Sequence, residues 1–248
     1  MRTIISILAL FFVSVATSFA ADENKPIDKN VDVGYFNKIG LHGNVNVIYT
    51  QGDKPEVRIH GIKEWVDCIE AYQDGKTLRI FENKKKVVNG LKELFNIMKQ
   101  SEDYVCVYVT SPDLIGVSLI GSGNFESKTK LDTDNIELNL NGSGDMEFSD
   151  IICDNFKAVL TGSGDIEINK VESITSYYSV RGSGDIESKQ NKVRKTDISL
   201  VGSGDIQVHC NDCDEVNANL TGSGDITISG EMKKVNQTKR GSGDIVVK

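Results

Sequence analysis

The chain has 248 residues, 39% apolar and 26% charged, a soluble globular balance with room for one large core. Its 28 basic and 36 acidic residues leave a formal charge of −8, which excludes electrostatic attraction to nucleic acid or to anionic lipid. Three histidines, His42, His60 and His209, lie too far apart in sequence to suggest a multi-histidine metal or catalytic centre. The N-terminus reads as an address. Met1 and Arg2 precede an apolar run from Ile4 to Val15, and Ser18-Phe19-Ala20 has the small-x-small form of a signal-peptidase site. Residues 1–20 are therefore expected to be a signal peptide, with 21–34 a short leader. The first cysteine after the apolar run is Cys68, so a lipid-anchored start is not expected, and no later segment is long and apolar enough to span a bilayer.

From about residue 35 to 120 the chain reads as strands. Asn44-Val45-Asn46-Val47-Ile48-Tyr49, Glu56-Val57-Arg58-Ile59-His60, Lys76-Thr77-Leu78-Arg79-Ile80 and Tyr104-Val105-Cys106-Val107-Tyr108-Val109 alternate with period two and are punctuated by Gly52-Asp53, Asp74-Gly75 and Ser111-Pro112-Asp113. The exception is 84–100. Val87, Val88, Leu91, Leu94, Phe95 and Met98 fall at helical spacing after Lys84-Lys85-Lys86, which predicts a short amphipathic insertion, either packed over an open sheet end or contacting a partner.

Residues 121–248 are dominated by a repeat. Gly-Ser-Gly starts at Gly121, Gly142, Gly162, Gly182, Gly202, Gly222 and Gly241, in steps of 21, 20, 20, 20, 20 and 19 residues. Period-two strands flank each copy, such as Phe156-Lys157-Ala158-Val159-Leu160 before and Asp165-Ile166-Glu167-Ile168 after. A fixed period of this length marks a solenoid whose coils bury a face only against their neighbours. The fold class is thus all-β: a single-domain β-solenoid, right-handed β-helix-like, with coils of about 20 residues and seven corners stacked over roughly 30 Å. Two inward ladders are expected, Phe125-Met146-Ile166-Ile186-Ile206-Ile226-Ile245 and Leu140-Leu160-Val180-Leu200-Leu220. Before Gly241 the chain turns polar, Val235-Asn236-Gln237-Thr238-Lys239-Arg240, as an exposed terminal coil requires.

Six copies continue with aspartate: Asp145, Asp165, Asp185, Asp205, Asp225 and Asp244. Such a column serves either as acceptor for corner amides or as a calcium ladder of hard oxygens. The period differs from that of calcium-binding rolls, which repeat Gly-Gly-x-Gly-x-Asp every nine residues. The corner serines recur seven times between strands with no adjacent histidine, so they read as scaffold and not as a nucleophile elbow. Five cysteines leave an odd thiol. Cys68 and Cys106 could bridge, and His209-Cys210-Asn211-Asp212-Cys213 reads as buried small side chains or a local disulfide, with too few ligands for a closed zinc site. Trp65 and the Tyr177-Tyr178 pair are candidates for partner contact; a single Trp more often packs than serves as a sugar platform, whereas stacked tyrosines on a solenoid face could grip a glycan.

Phe36-Asn37-Lys38-Ile39-Gly40-Leu41-His42-Gly43, then Val45-Asn46-Val47 and Gln51-Gly52, the Asp74–Ile80 strand and the Gly-Ser-Gly-Asp coils together resemble the bacterial auto-transporter adhesin head GIN-domain family, from about Tyr35 to Ile245. The resemblance implies an exported β-solenoid of Gram-negative bacteria, similar in outline to pectin-lyase-type helices, with a role in adhesion and no catalytic residues to carry over. Signal and solenoid account for the chain, so no outer-membrane translocator is expected on it. The expected function is a non-enzymatic, adhesin-like or envelope scaffold protein in the periplasm or on the cell surface, binding a glycan or protein ligand and needing no cofactor. The alternatives are a pectin-lyase-like carbohydrate-active enzyme, for which Arg181 and Arg194 are the arginines of the central coils, and a periplasmic sensing module acting through the 84–100 insertion.

Overall fold

The computed structural model describes residues 25–83 and 105–248, so the signal peptide and the 84–100 insertion lie outside the described residues. The N-terminal part contains β1 (Pro26–Val31), β2 (Lys38–Gly43), β3 (Asn46–Gln51), β4 (Glu56–Ile62), helix α1 (Lys63–Cys68), β5 (Ile69–Asp74), β6 (Thr77–Glu82), β7 (Val105–Ser111) and β8 (Gly116–Gly121). Then come β9 (Phe125–Asp132), β10 (Asn135–Gly142), β11 (Met146–Ile152), β12 (Asn155–Gly162), β13 (Ile166–Glu172), β14 (Thr175–Gly182), β15 (Ile186–Asn191) and β16 (Lys195–Gly202). The last strands are β17 (Ile206–Gly222), β18 (Ile226–Gly241) and β19 (Ile245–Val247). All belong to one continuous sheet that winds as a β-solenoid.

Each repeat crosses two faces. On face A, β8, β10, β12, β14, β16 and the second halves of β17 and β18 pair in parallel, in register from corner to corner. On face B, β9, β11, β13, β15, the first halves of β17 and β18, and β19 do the same. The return between faces is short. It takes two residues after β11, and β17 and β18 pass through it as unbroken strands.

Parity of the strands fills the lumen. Phe125, Met146, Ile166, Ile186, Ile206 and Ile226 are all buried, as are Leu140, Leu160, Val180, Leu200 and Leu220. Both ladders continue into the N-terminal part, through Val47, Val107 and Ile59 on one side and Leu119, Leu41 and Ile80 on the other. The N-terminal strands are therefore the first coils of the solenoid, but in permuted order. Strands β2 and β3 sit between the β6–β7 coil and the β8–β9 coil, so after β1, which lies at the outer end beside β4, the chain winds the second coil first, runs outward, and returns past it at β8. Gly43-Asn44-Val45 is a cryptic corner, since Ser122 and Gly123 N–H both donate to Gly43 O at 3.1 Å.

The outer end departs from the parallel pattern. Strands β1, β4 and β7 pair antiparallel, as do β5 and β6, and α1 with its buried Val66 packs against β1, β4 and β5. No helix was expected at 63–68. Six residues are too few to display a 3.6-residue period, and only the Lys63–Asp67 pair at i,i+4 hints at it.

One stretch of the lumen is polar. Tyr178, beside Ala158 and Ile198 in its ladder, hydrogen-bonds Ser188 Oγ at 2.8 Å. Gln190 Nε2 donates to Thr196 Oγ1 at 2.7 Å, and all four residues are buried. Burial is tolerable here because each group finds a partner.

Candidate functional site

The Gly-Ser-Gly corners explain their own composition. In each corner the serine N–H and the second glycine N–H both donate to the first glycine's carbonyl in the preceding coil, as Ser163 and Gly164 do to Gly142 O at 2.9 and 3.2 Å. The seven serine side chains point to solvent. They form an exposed row at coil spacing.

The aspartates form a second ladder beside the corner. Asp145 Oδ1 accepts the Asp165 N–H at 3.1 Å, and the same bond recurs from Asp165 to Asp244 at 2.7 to 3.0 Å. Asn124 and Asn46 continue it with their amide oxygens. Each of the first five carboxylates thus caps the next coil's amide and not one in its own corner, while Asp244 pairs with Lys239. Two residues on, Glu126, Glu147, Glu167 and Glu187 stand opposite one another on the outside of face B, a second acidic row legible in the recurring Asp-x-Glu. Because an asparagine already does the aspartate's work at position 124, Asp165→Asn should change stability by less than about 0.5 kcal/mol, whereas Asp165→Ala, which removes the acceptor, should cost about 1 kcal/mol. Thermal melts of both variants with and without a chelator check this. A chelator-dependent midpoint in the parent chain, lost in Asp165→Asn, would instead make the column an ion site.

The tyrosine pair does not act together. Tyr178 faces the lumen at 0% exposure, and only Tyr177 reaches the surface. Trp65 lies half-buried on α1. Arg181 is exposed on face A and Arg194 follows the return, and among the described residues neither forms an ion pair with a corner aspartate.

A concavity occurs on face A where the repeat is least regular. The outward rows read Thr77-Lys38-Gly116-Glu137-Lys157-Tyr177 and Arg79-Gly40-Ser118-Asn139-Val159-Ser179 across successive coils. Glycine replaces a side chain at Gly40 and Gly116, which opens a depression of about 580 Å³ rimmed by Lys38, His42, Arg79, Ile120, Glu137 and Asn139. A second hollow of about 650 Å³ adjoins it through His42, Arg79 and Ile120 and ends at Tyr72 and Phe81. These two rings meet edge to face at 5.9 Å, and Tyr72 is 49% exposed. Lys157 pairs with Glu137 at 2.7 Å and holds its carboxyl below the usual range, and Arg79 pairs with Asp74 at 2.9 Å. Lys38 on the same rim makes no ion-pair contact among the described residues, but its charge also acts on Glu137 and helps to lower the pKa of that carboxyl.

Beyond the depression, face A continues as a stripe of short polar side chains, Ser179, Ser199, Asn219 and Thr238, at strand spacing. Sequence reasoning missed this depression because its signal is a lack of bulk at two positions far apart in sequence, Gly40 in β2 and Gly116 in β8.

The profile of the family described as "Putative auto-transporter adhesin, head GIN domain" matches residues 35–231 and 179–248. The chain belongs to this family. Among solved structures it is similar to a "putative adhesin" from Bacteroides fragilis, at 25% identity and TM-score 0.75, covering 90% of this chain and 97% of that one. A "putative lipid binding protein" from Parabacteroides distasonis matches at 21% identity and TM-score 0.67 over 92% and 98% of the two chains. A further "putative adhesin" from Parabacteroides merdae matches at 19% identity and TM-score 0.68 over 90% and 96%. The last two likenesses concern the fold alone. Comparison with curated proteins gives no match. No helix among the described residues is long and apolar enough to cross a membrane.

Proposed function

We propose that the protein is an exported, non-enzymatic, adhesin-like binding protein whose face A grips a glycan, anchored in the depression at Gly40 and Gly116. The observation that carries this reading is that the depression joins an aromatic wall, the exposed Lys38 ammonium and amides to a long row of hydroxyl and amide side chains. Pyranose rings offer apolar faces for Tyr72 and Phe81 and hydroxyls for Asn139 and Ser118, and Lys38 favours a sugar bearing a carboxylate or sulfate. Many equivalent weak contacts down the stripe add through avidity, which suits attachment better than catalysis.

The depression can be filled without harming the fold. A Cβ on Gly40 would meet only Thr77 Cγ2 at 3.9 Å, and one on Gly116 the Glu137 carbonyl at 3.7 Å. Screening the purified chain on a saccharide array, then titrating the best saccharide into Gly40→Leu and Lys38→Ala, is expected to show at least a tenfold loss of affinity in each, about 1.4 kcal/mol, with an unchanged melting midpoint. Binding that survives Gly40→Leu would remove the depression from the reading, and no saccharide binding at all would end the glycan assignment. Antibody labelling of intact beside permeabilised cells tests the export half: labelling only after permeabilisation would favour an envelope scaffold over an adhesin.

A further inference from the structure

The structure assigns to Cys210 and Cys213 a disulfide that closes the return corner of β17. These are the two lumen-facing side chains that bracket this corner, at 0% and 1% exposure. Asp212 between them has φ of 62°, and in the pairing with β18 the three steps from Cys210 to Cys213 oppose the two steps from Gly230 to Met232. The two cysteines therefore sit about as far apart as two extended residues, roughly 6.6 Å between Cα atoms, inside the range that a disulfide spans. Their sulfurs converge on one donor. Gln190 Nε2 lies 3.0 Å from Cys210 Sγ and 3.4 Å from Cys213 Sγ. The thiols also hydrogen-bond each other, which lowers the pKa of Cys213 and raises that of Cys210.

Closing the bond leaves nothing in the lumen unpaired, since Gln190 Nε2 keeps Thr196 Oγ1 at 2.7 Å. The other coils place Ile151 with Cys153, Val171 with Ser173, and Gln190 with Val193 at this corner, so only β17 presents two thiols. The reaction is thiol–disulfide exchange with a disulfide oxidant such as oxidised glutathione. One cysteine thiolate attacks the oxidant's sulfur and expels the first thiol, and the second cysteine then displaces the second thiol from the mixed disulfide. Both cysteines lose a proton, and the two electrons leave on the oxidant's two thiols. The burial of both sulfurs places the exchange before the coil closes and shields the product afterwards.

The assignment concerns the chemistry of this corner and is tested apart from export and from ligand binding. The full chain, unfolded and reduced, is refolded across a series of reduced-to-oxidised glutathione ratios, acid-quenched, then alkylated in denaturant and digested with trypsin. Residues 196–233 form one tryptic peptide that contains Cys210 and Cys213 and no other cysteine. In oxidising buffers this peptide should lose both alkyl groups and be two hydrogens lighter, while Cys210→Ser should give a peptide with one alkyl group or one glutathione. The inference is overturned if the peptide stays doubly alkylated, or carries glutathione, in every buffer where the β-sheet circular dichroism recovers. It is equally overturned if the chain refolds only under reducing conditions.

Discussion

Gly164→Ala is expected to unfold the protein or to destabilise it by at least about 3 kcal/mol, while the adjacent Ser163→Ala stays within about 0.5 kcal/mol. The contrast follows from what lies over each Cα. A Cβ on Gly164 would stand 1.9 Å from the carbonyl oxygen of Gly144, a backbone atom that cannot swing aside. That carbonyl belongs to a corner clamped in turn onto Gly123, so relief requires prising neighbouring coils apart and breaking the paired amide bonds to Gly142 O. Ser163 points its side chain into solvent, and its contribution is its N–H, which alanine keeps. Position along the stack then becomes informative. Gly243 would clash equally, at 1.8 Å from Gly224 O, but among the described residues its coil has a neighbour on one side only and can lift away. Gly243→Ala should therefore cost less than half as much as Gly164→Ala. Denaturant unfolding followed by circular dichroism measures all three; a Gly164→Ala protein as stable as the parent would refute the clamped-corner account. Gly162 adds a second penalty, since its φ of 131° is one that residues with a Cβ rarely adopt.

What the sequence discloses and conceals divides along the same physical line. In 121–248 every coil contacts an almost identical neighbour, so period, parity and corner chemistry coincide, and the two lumen ladders can be read directly. Parity also held the answer for the tyrosines. Val180 faces in, so Tyr178 must face in and Tyr177 out, and the eye-catching pair is split between core and surface. In the first part the order of coils was hidden, because β2 pairs with β6 and β8, strands far along the chain, and no local pattern encodes such partners. The Gly43 corner was hidden because Val45 stands where the repeat has its second glycine. The aspartate ladder was half legible. The acceptor role follows from residue type, but the donor belongs to the next coil, 20 residues away. The depression on face A was invisible, as it comes from two missing side chains that meet only once β2 and β8 pair.

The terminal coil supplies the other large effect. Gln237→Leu with Lys239→Leu is expected to turn the protein into concentration-dependent dimers or higher assemblies. On face A, β18 pairs with β17 on one side, and no described strand covers its other edge beyond the stretch taken by β19. In the coil beneath, Ala218 and Leu220 are buried, and their successors in register are Gln237 and Lys239, both exposed. Lys239 reaches across the open end to Asp244 at 2.7 Å, so its stem covers Leu220 while its charge stays in water. A second molecule approaching this edge would have to strip water from a lysine and a glutamine, and the cost of desolvating them opposes strand-to-strand addition. With leucine at both positions the ladders would instead end on an apolar surface flanked by unpaired N–H and C=O groups, the template on which another coil adds. Sedimentation velocity over a concentration series distinguishes the cases. The double leucine variant should shift to larger species relative to the parent, whereas Lys239→Glu, which breaks the Asp244 pair but keeps a charge at the edge, should sediment as the parent does. An unshifted leucine variant would mean that the polar residues are not what limits the solenoid, and that burial of the lumen ends at β18 for reasons of backbone geometry alone.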